Sequence, residues 1–453
     1  MPSAPIVTAR FADYVQRDGR SHGMNLRWTF PPYPVGFIPR EILHDYVYGN
    51  DPISGAPLME EVIFALTQPL TDAEKNYKAE KRPERPRTLE PATEADLHHL
   101  FLENGWTDGL PIILPTEERV AEMLTGTDRD AQEYVGMMSV TTHEERLQYT
   151  VERAAVNAVM AGARPEHFPV ILALGASGRP SMPSSTTSFA SMMVVNGPIR
   201  NEIGMNYGLG ALSPVNYANS VIGRAWTLMS ICWGYARPEK TLWSSQGSNL
   251  VYNNMCVAEN EERSVWTPFH VDKGFRADES VVSIFRGWAI INSPGAASNR
   301  SLGEELNIEL AVIPPVNSAA TIILDPLVAR NLKENEGFNT KQDYCRWLSE
   351  NIKMPAGQYW KTDYIDMLAA SEAYQGVEPY ASWKKLPDDE LIAPYHTPES
   401  INIIVVGGET SPLWKASDYR HTASESIDKW RANSDDECED GSCGLPDEPV
   451  DYD

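Results

Sequence analysis

The stretch NNMCVAENEERSVWTPFHV holds Cys256, Glu259, Glu261, Glu262 and His270 within fifteen residues. Carboxylates and an imidazole brought together can form a general acid and base pair or bind a divalent metal. The spacing contains neither HExxH nor CxxC, so it matches no compact zinc signature. A solvated acidic turn explains Glu261 and Glu262 equally well. Glu259 and His270 are therefore the candidate catalytic residues of this segment.

A second polar region, VVNGPIRNEIGMNYGLGALSPVNYANSVIGRA, carries Gly204, Gly208, Gly210, Asn196 and Asn206 ahead of a long helix. That helix is expected to begin with Ser213 as N-cap and Pro214 at its first position. A glycine-rich turn feeding a helix N-terminus presents N–H groups to an anion such as a carboxylate or phosphate. It is neither a Walker A loop nor a dinucleotide fingerprint, and tight turns between packed elements are the plainer alternative. Asn196, Asn206, Gly208 and Gly210 are candidate substrate-binding residues, expected to share one pocket with Glu259 and His270. Asn157, in ERAAVNAVMAG, would be an odd core residue without a partner, and Asp108, in GWTDGLPI, suits capping as well as catalysis. Both join the substrate-binding candidates. His143 and Glu144 lack the following histidine of a metalloprotease helix. Val405–Gly408 ends a strand in glycines, where backbone can approach a ligand.

These residues must be positioned by a chain of 453 residues with 42% hydrophobic content, enough for a substantial core. Its formal net charge of −25 opposes nucleic-acid and anionic-membrane partners. No apolar run approaches the length of a membrane span, and the N-terminus lacks the pattern of a secretory signal. Five cysteines, three of them (Cys232, Cys256, Cys345) in core-like sequence, suit free thiols in a reducing cytoplasm.

Residues 1–91 read as an arm and linker, rich in proline and aromatics, that wraps the body or a neighbouring subunit; a homo-oligomer is expected. Residues 92–431 read as an α/β body, a mainly buried sheet flanked by helices, and 432–453 as an acidic, cysteine-containing tail. Helices are expected at Leu58–Leu66, after Thr93 and Thr116, up to Gly162, and at Pro326–Glu334 and Lys341–Asn351. Strands are expected in GLPIILP, FPVILALGAS, SFASMMVVNGPI, SVVSIFRGWAIIN, ELNIELAVIPP, AATIILD and INIIVVGG. No internal repeat is evident.

The segments GWTDGLPIILPTEERVAEML, ERAAVNAVMAGARPEHFPVILA, VVNGPIRNEIGMNYGLGALSPVNYANSVIGRA and CVAENEERSVWTPFHV together resemble a large bacterial family. Its members accompany, or are fused to, the redox-type module named for its selenocysteine/cysteine-Gly-Ser-Cys motif. The resemblance covers about residues 100–290, with INIIVVGG similar to the family's closing strand. The tail's Asp440-Gly441-Ser442-Cys443 resembles the module's motif with Asp at its first position. Ala163 stands where other members carry a cysteine.

The resemblance gives the tail pair Cys438 and Cys443 three readings: a swinging dithiol, a ligand for a metal or cluster, or a dock for a thioredoxin-like partner. Neighbouring acids oppose thiolate formation, which favours a cation ligand and makes a divalent metal ion the candidate cofactor. An acidic solubilising tail with incidental cysteines is the alternative. The expected function is that of a small-molecule enzyme, of redox or lyase/hydratase type, on an anionic substrate. Glu259, His270, Cys438 and Cys443 are its catalytic candidates. A non-catalytic metal-handling or redox-docking scaffold is the second reading.

Overall fold

The computed structural model describes residues 3–21, 23–36, 38–78, 86–138, 147–238, 241–248, 255–293 and 301–432. Cys438, Cys443, His143 and Glu144 lie outside the described residues. The fold is α/β, with several sheets flanked by helices. β1 (Tyr134–Met137) and β2 (Gln148–Thr150) form a peripheral antiparallel pair. The body is built on β3 (Ala190–Asn196), β4 (Cys256–Ala258), β5 (Val281–Gly287), β6 (Ile290–Asn292) and β7 (Ala320–Leu324). After a second small pair, β8 (Met354–Pro355) with β9 (Leu391–Ile392), it is completed by β10 (Ile401–Val405), β11 (Trp414–Ser417) and β12 (Arg420–Ser426).

One main sheet has the order β12-β5-β3-β4 and the other β10-β7-β11-β6. Each contains one parallel pair, β3 with β4 and β7 with β10, followed by two antiparallel neighbours. The two halves of the body thus repeat one topology and exchange their last strands. β6 leaves the first half to pair with β11, and β12 leaves the second to pair with β5. The sequence shows no such repeat, because exchange is a matter of partner choice. The two connecting segments cross where Gly287 meets Tyr419. A Cβ on Gly287 would lie 2.2 Å from Tyr419 Cδ1, so only glycine admits the crossing.

Helix signals in the sequence hold where they rest on caps. Thr93 accepts the N–H of Asp96 and Thr116 that of Arg119, starting helices Glu94–Glu103 and Glu117–Leu124. Pro326–Glu334 and Lys341–Asn351 are helical as expected, and the Val151–Ala161 helix ends on a left-handed Gly162.

Four expectations are corrected. FPVILALGAS forms the helix Phe168–Ala176, buried from Phe168 to Gly175; continuous apolarity carries no period, so a buried helix and a buried strand look alike. ELNIELAVIPP forms helix Leu302–Leu310, nucleated by a capping box between Ser301 and Glu304. GLPIILP forms no strand. Pro111 and Pro115 remove two donors, and the Ile113 N–H is taken by the Met160 carbonyl and the Pro111 carbonyl by Arg224. The long helix begins at Tyr217 rather than Ser213, because Asn216 turns back to donate to the carbonyls of Gly210, Ala211 and Ser213.

Arg87 fastens the linker to the body through Glu117 and Glu152. The arm before it keeps Ile42, Val47, Tyr48, Ile63, Phe64 and Leu66 exposed. Among the described residues, no helix is long and apolar enough to cross a membrane.

Candidate functional site

Glu259 follows β4, and its N–H continues the ladder onto Val195. Its carboxylate is fully buried and accepts four hydrogen bonds. Lys341 Nζ donates at 2.8 Å and Val405 N at 3.3 Å to one oxygen; Asn196 Nδ2 and Phe269 N each donate at 2.7 Å to the other. Burial pushes the Glu259 pKa up, but the Lys341 ammonium and these donors outweigh it and hold the carboxyl below its ordinary value. Lys341 also lies 3.8 Å from Asp272, whose own pKa burial raises.

This arrangement ties both halves of the body together, since Asn196 and Phe269 come from the first and Lys341 and Val405 from the second. Beside it, Arg200 donates to the Glu259 carbonyl at 2.5 Å, pairs with Glu261 and Glu262, and covers the Tyr207 ring at 5.0 Å. Glu261 in turn accepts from Asn196 and from the Gly197 N–H. His270 is fully buried, and among the described residues neither of its ring nitrogens, nor Asn196 Oδ1, has a hydrogen-bond partner.

The glycine-rich loop reaches this cluster through Tyr207, whose carbonyl accepts the Gly407 N–H. Asn206, Gly208 and Gly210 are engaged within the loop itself: Asn206 holds Gly208 N, the Leu209 carbonyl and Asn216. Gly408 is required by this loop, because a Cβ there would lie 2.4 Å from Leu209 Cγ. Asn157 accepts Trp233 Nε1 at 2.6 Å in the core, and Asp108 binds Arg224 through both oxygens, which lowers its pKa against the opposing effect of burial.

The roomier concavity lies elsewhere, against the face of β3, β5 and β12. Its volume is about 460 Å3, and Arg179, Lys273, Arg286, Arg420 and His421 line it with a single carboxylate, Glu399. Neither Glu259 nor His270 is among its lining residues. Ser191, Arg286 and Arg420 stand in one row across three strands, with Arg286 and Arg420 as direct cross-strand partners. Like charges placed opposite each other destabilise a sheet. Among the described residues no carboxylate lies within ion-pair distance of Lys273, Arg286 or Arg420. Arg286 Nε is buried without a hydrogen bond among the described residues.

Burial and the nearby Arg420 and Arg179 bring the Arg286 guanidinium down to about 10, and burial lowers Lys273. Burial, with the Lys273 charge, takes His421 down to about 4, so its imidazole is neutral at physiological pH. A bulge in β12 between His421 and Ala423 lets the consecutive residues His421 and Thr422 both line the cavity. The lining also includes Asn317, held in the left-handed region at φ 54°.

Lys273 closes the helical turn that begins at Phe269, so the turn that caps Glu259 also supplies a cation to the cavity. Sequence reasoning passed over these cationic residues because each lies in an ordinary strand or turn. Only the opposed pairing of Arg286 with Arg420 reveals the cluster. Among the described residues, no group of three or more His, Cys, Asp or Glu side chains could hold a metal ion. No family model matches the chain, no curated relative does, and no solved structure matches its fold.

Proposed function

We propose that the chain is an enzyme that acts by acid–base chemistry, of lyase or hydratase type, on a small anionic molecule held in the cationic cavity. One observation carries this reading: Lys273, Arg286 and Arg420 converge with no carboxylate within ion-pair distance among the described residues, in a chain whose net charge is −25. Such a cluster destabilises the empty protein, and a bound anion offsets that cost. In this reading the anion anchor is the Arg286–Arg420 pair rather than the glycine-rich loop at 204–213.

His421 supplies the proton chemistry. Its neutral imidazole, hydrogen-bonded through Nε2 to Ser424 Oγ at 2.8 Å, gains proton affinity when an anion arrives beside it. The imidazolium so formed is a general acid present only in the complex. Glu259 and Lys341 position the turn that carries Lys273.

Calorimetric titration with inorganic phosphate in buffers of different ionisation enthalpy tests this. Binding with net proton uptake is expected, abolished by Arg286→Gln with Arg420→Gln. That variant should melt no lower than the parent, because it loses a repulsion. Unchanged affinity in the variant would refute the reading.

The metal-handling or redox-docking alternative draws on Cys438 and Cys443. Metal analysis with and without residues 434–453 separates it: metal that leaves with the tail supports delivery. Cys438→Ser with Cys443→Ser should then remove metal or activity at a nearly unchanged melting temperature. The exposed apolar side chains of the arm support a homo-oligomer.

A further inference from the structure

We infer that the molecule held in the cationic cavity carries its charge on a flat unsaturated ring. This rests on the anion-binding reading above and adds the ring. A second cavity of about 250 Å3 shares Arg286, Asn317 and Arg420 with the first, so the two lie side by side and meet at these residues. Their volumes together fall in the range of small-molecule sites.

The second compartment differs in chemistry. Its walls include Phe189, Trp288 and Tyr364. The Phe189 and Trp288 rings stack at 4.2 Å with 17° between planes, and Tyr364 meets Trp288 edge-on at 4.3 Å. The Arg286 guanidinium lies 4.0 Å from the Phe189 ring centre, so one side chain joins the charged and aromatic parts. Aromatic walls favour a ring that can stack or present its edge over a saturated group of equal area.

Asp418, the one carboxylate among the described residues that line this compartment, sets the orientation. A charged head beside it would be repelled; Arg286 and Arg420 line both compartments, but only the first adds Lys273 and Arg179, which outweigh its Glu399. The ring therefore enters the aromatic side and the anionic head faces the cations. An arylcarboxylate or aryl phosphate has this shape and charge.

Calorimetry on the full chain with phenyl phosphate, cyclohexyl phosphate and inorganic phosphate tests the inference. Phenyl phosphate should bind about tenfold more tightly than cyclohexyl phosphate. Tyr364→Leu, at a partly exposed position, should reduce that preference, since Phe189 and Trp288 remain, with a smaller effect on inorganic phosphate affinity. Equal binding of all three, still weakened by Arg286→Gln, would overturn the ring and leave the anion site standing. A phenyl preference left undiminished by Tyr364→Leu would also overturn it. No binding of any probe at millimolar concentration, or binding indifferent to Arg286→Gln, would overturn both.

Discussion

Asp418 accepts the backbone N–H of Trp288 on both carboxylate oxygens, at 2.9 and 3.1 Å, and that of Ala289 at 2.8 Å. Trp288 and Ala289 link β5 to β6, and Asp418 links β11 to β12. A carboxylate thus does the work of ladder carbonyls where the two exchanged strands cross.

That placement has a pH consequence. Burial raises the Asp418 pKa to about 6, above its ordinary value near 3.8. A raised acid contributes stability below its unfolded pKa and loses it as pH climbs through the folded one. The contribution therefore falls between about pH 4 and pH 6 by on the order of 3 kcal/mol. Subtracting the pH profile of an Asp418→Asn variant from that of the parent, by urea unfolding, isolates this slope. Parallel profiles would show that Asp418 titrates normally.

The same crossing depends on Gly287. An added methyl would meet Tyr419 Cδ1 at 2.2 Å and Asp418 Oδ1 at 2.7 Å, both in buried residues that cannot retreat. Gly287→Ala is expected to destabilise by about 3 kcal/mol, at the upper end of overpacking costs. Gly36→Ala, with open space around it, is the control and should leave the denaturation midpoint unchanged.

Lys341 is nearly fully buried against Glu259. Removing it leaves a buried carboxylate with neutral donors only, at a cost of about 3–5 kcal/mol. Lys341→Met should show this loss in equilibrium unfolding. Adding Glu259→Gln should recover part of it, because the amide carries no charge. A double variant no more stable than Lys341→Met would mean that the lysine acts through packing alone.

In the homo-oligomer proposed above, deleting residues 2–88 should lower the oligomeric state measured by light scattering, because it removes the exposed apolar side chains of Tyr48, Ile63 and Phe64 that would meet a neighbouring subunit. An oligomer of unchanged size and stability would assign the arm no part in assembly.

What the sequence by itself determined is local. Thr93, Thr116 and Pro326 mark helix starts because a cap or a fixed φ acts within one turn, and neighbouring residues suffice to read it. The alternation of strands and helices likewise gave the α/β class, and the polarity of Glu259 marked it as a residue that must find partners. Tertiary structure decided the rest. The run at Phe168–Ala176 is equally apolar on every side, so the packing around it, not its own pattern, made it helical. The exchange of β6 and β12 leaves each strand's residue pattern unaltered, since a ladder bonds any backbone that arrives in register. Arg286 and Arg420 became opposed partners only through that exchange. A cation's neighbours are set by the strand laid beside it, and this is why the cavity, unlike the helix caps, had no local signature.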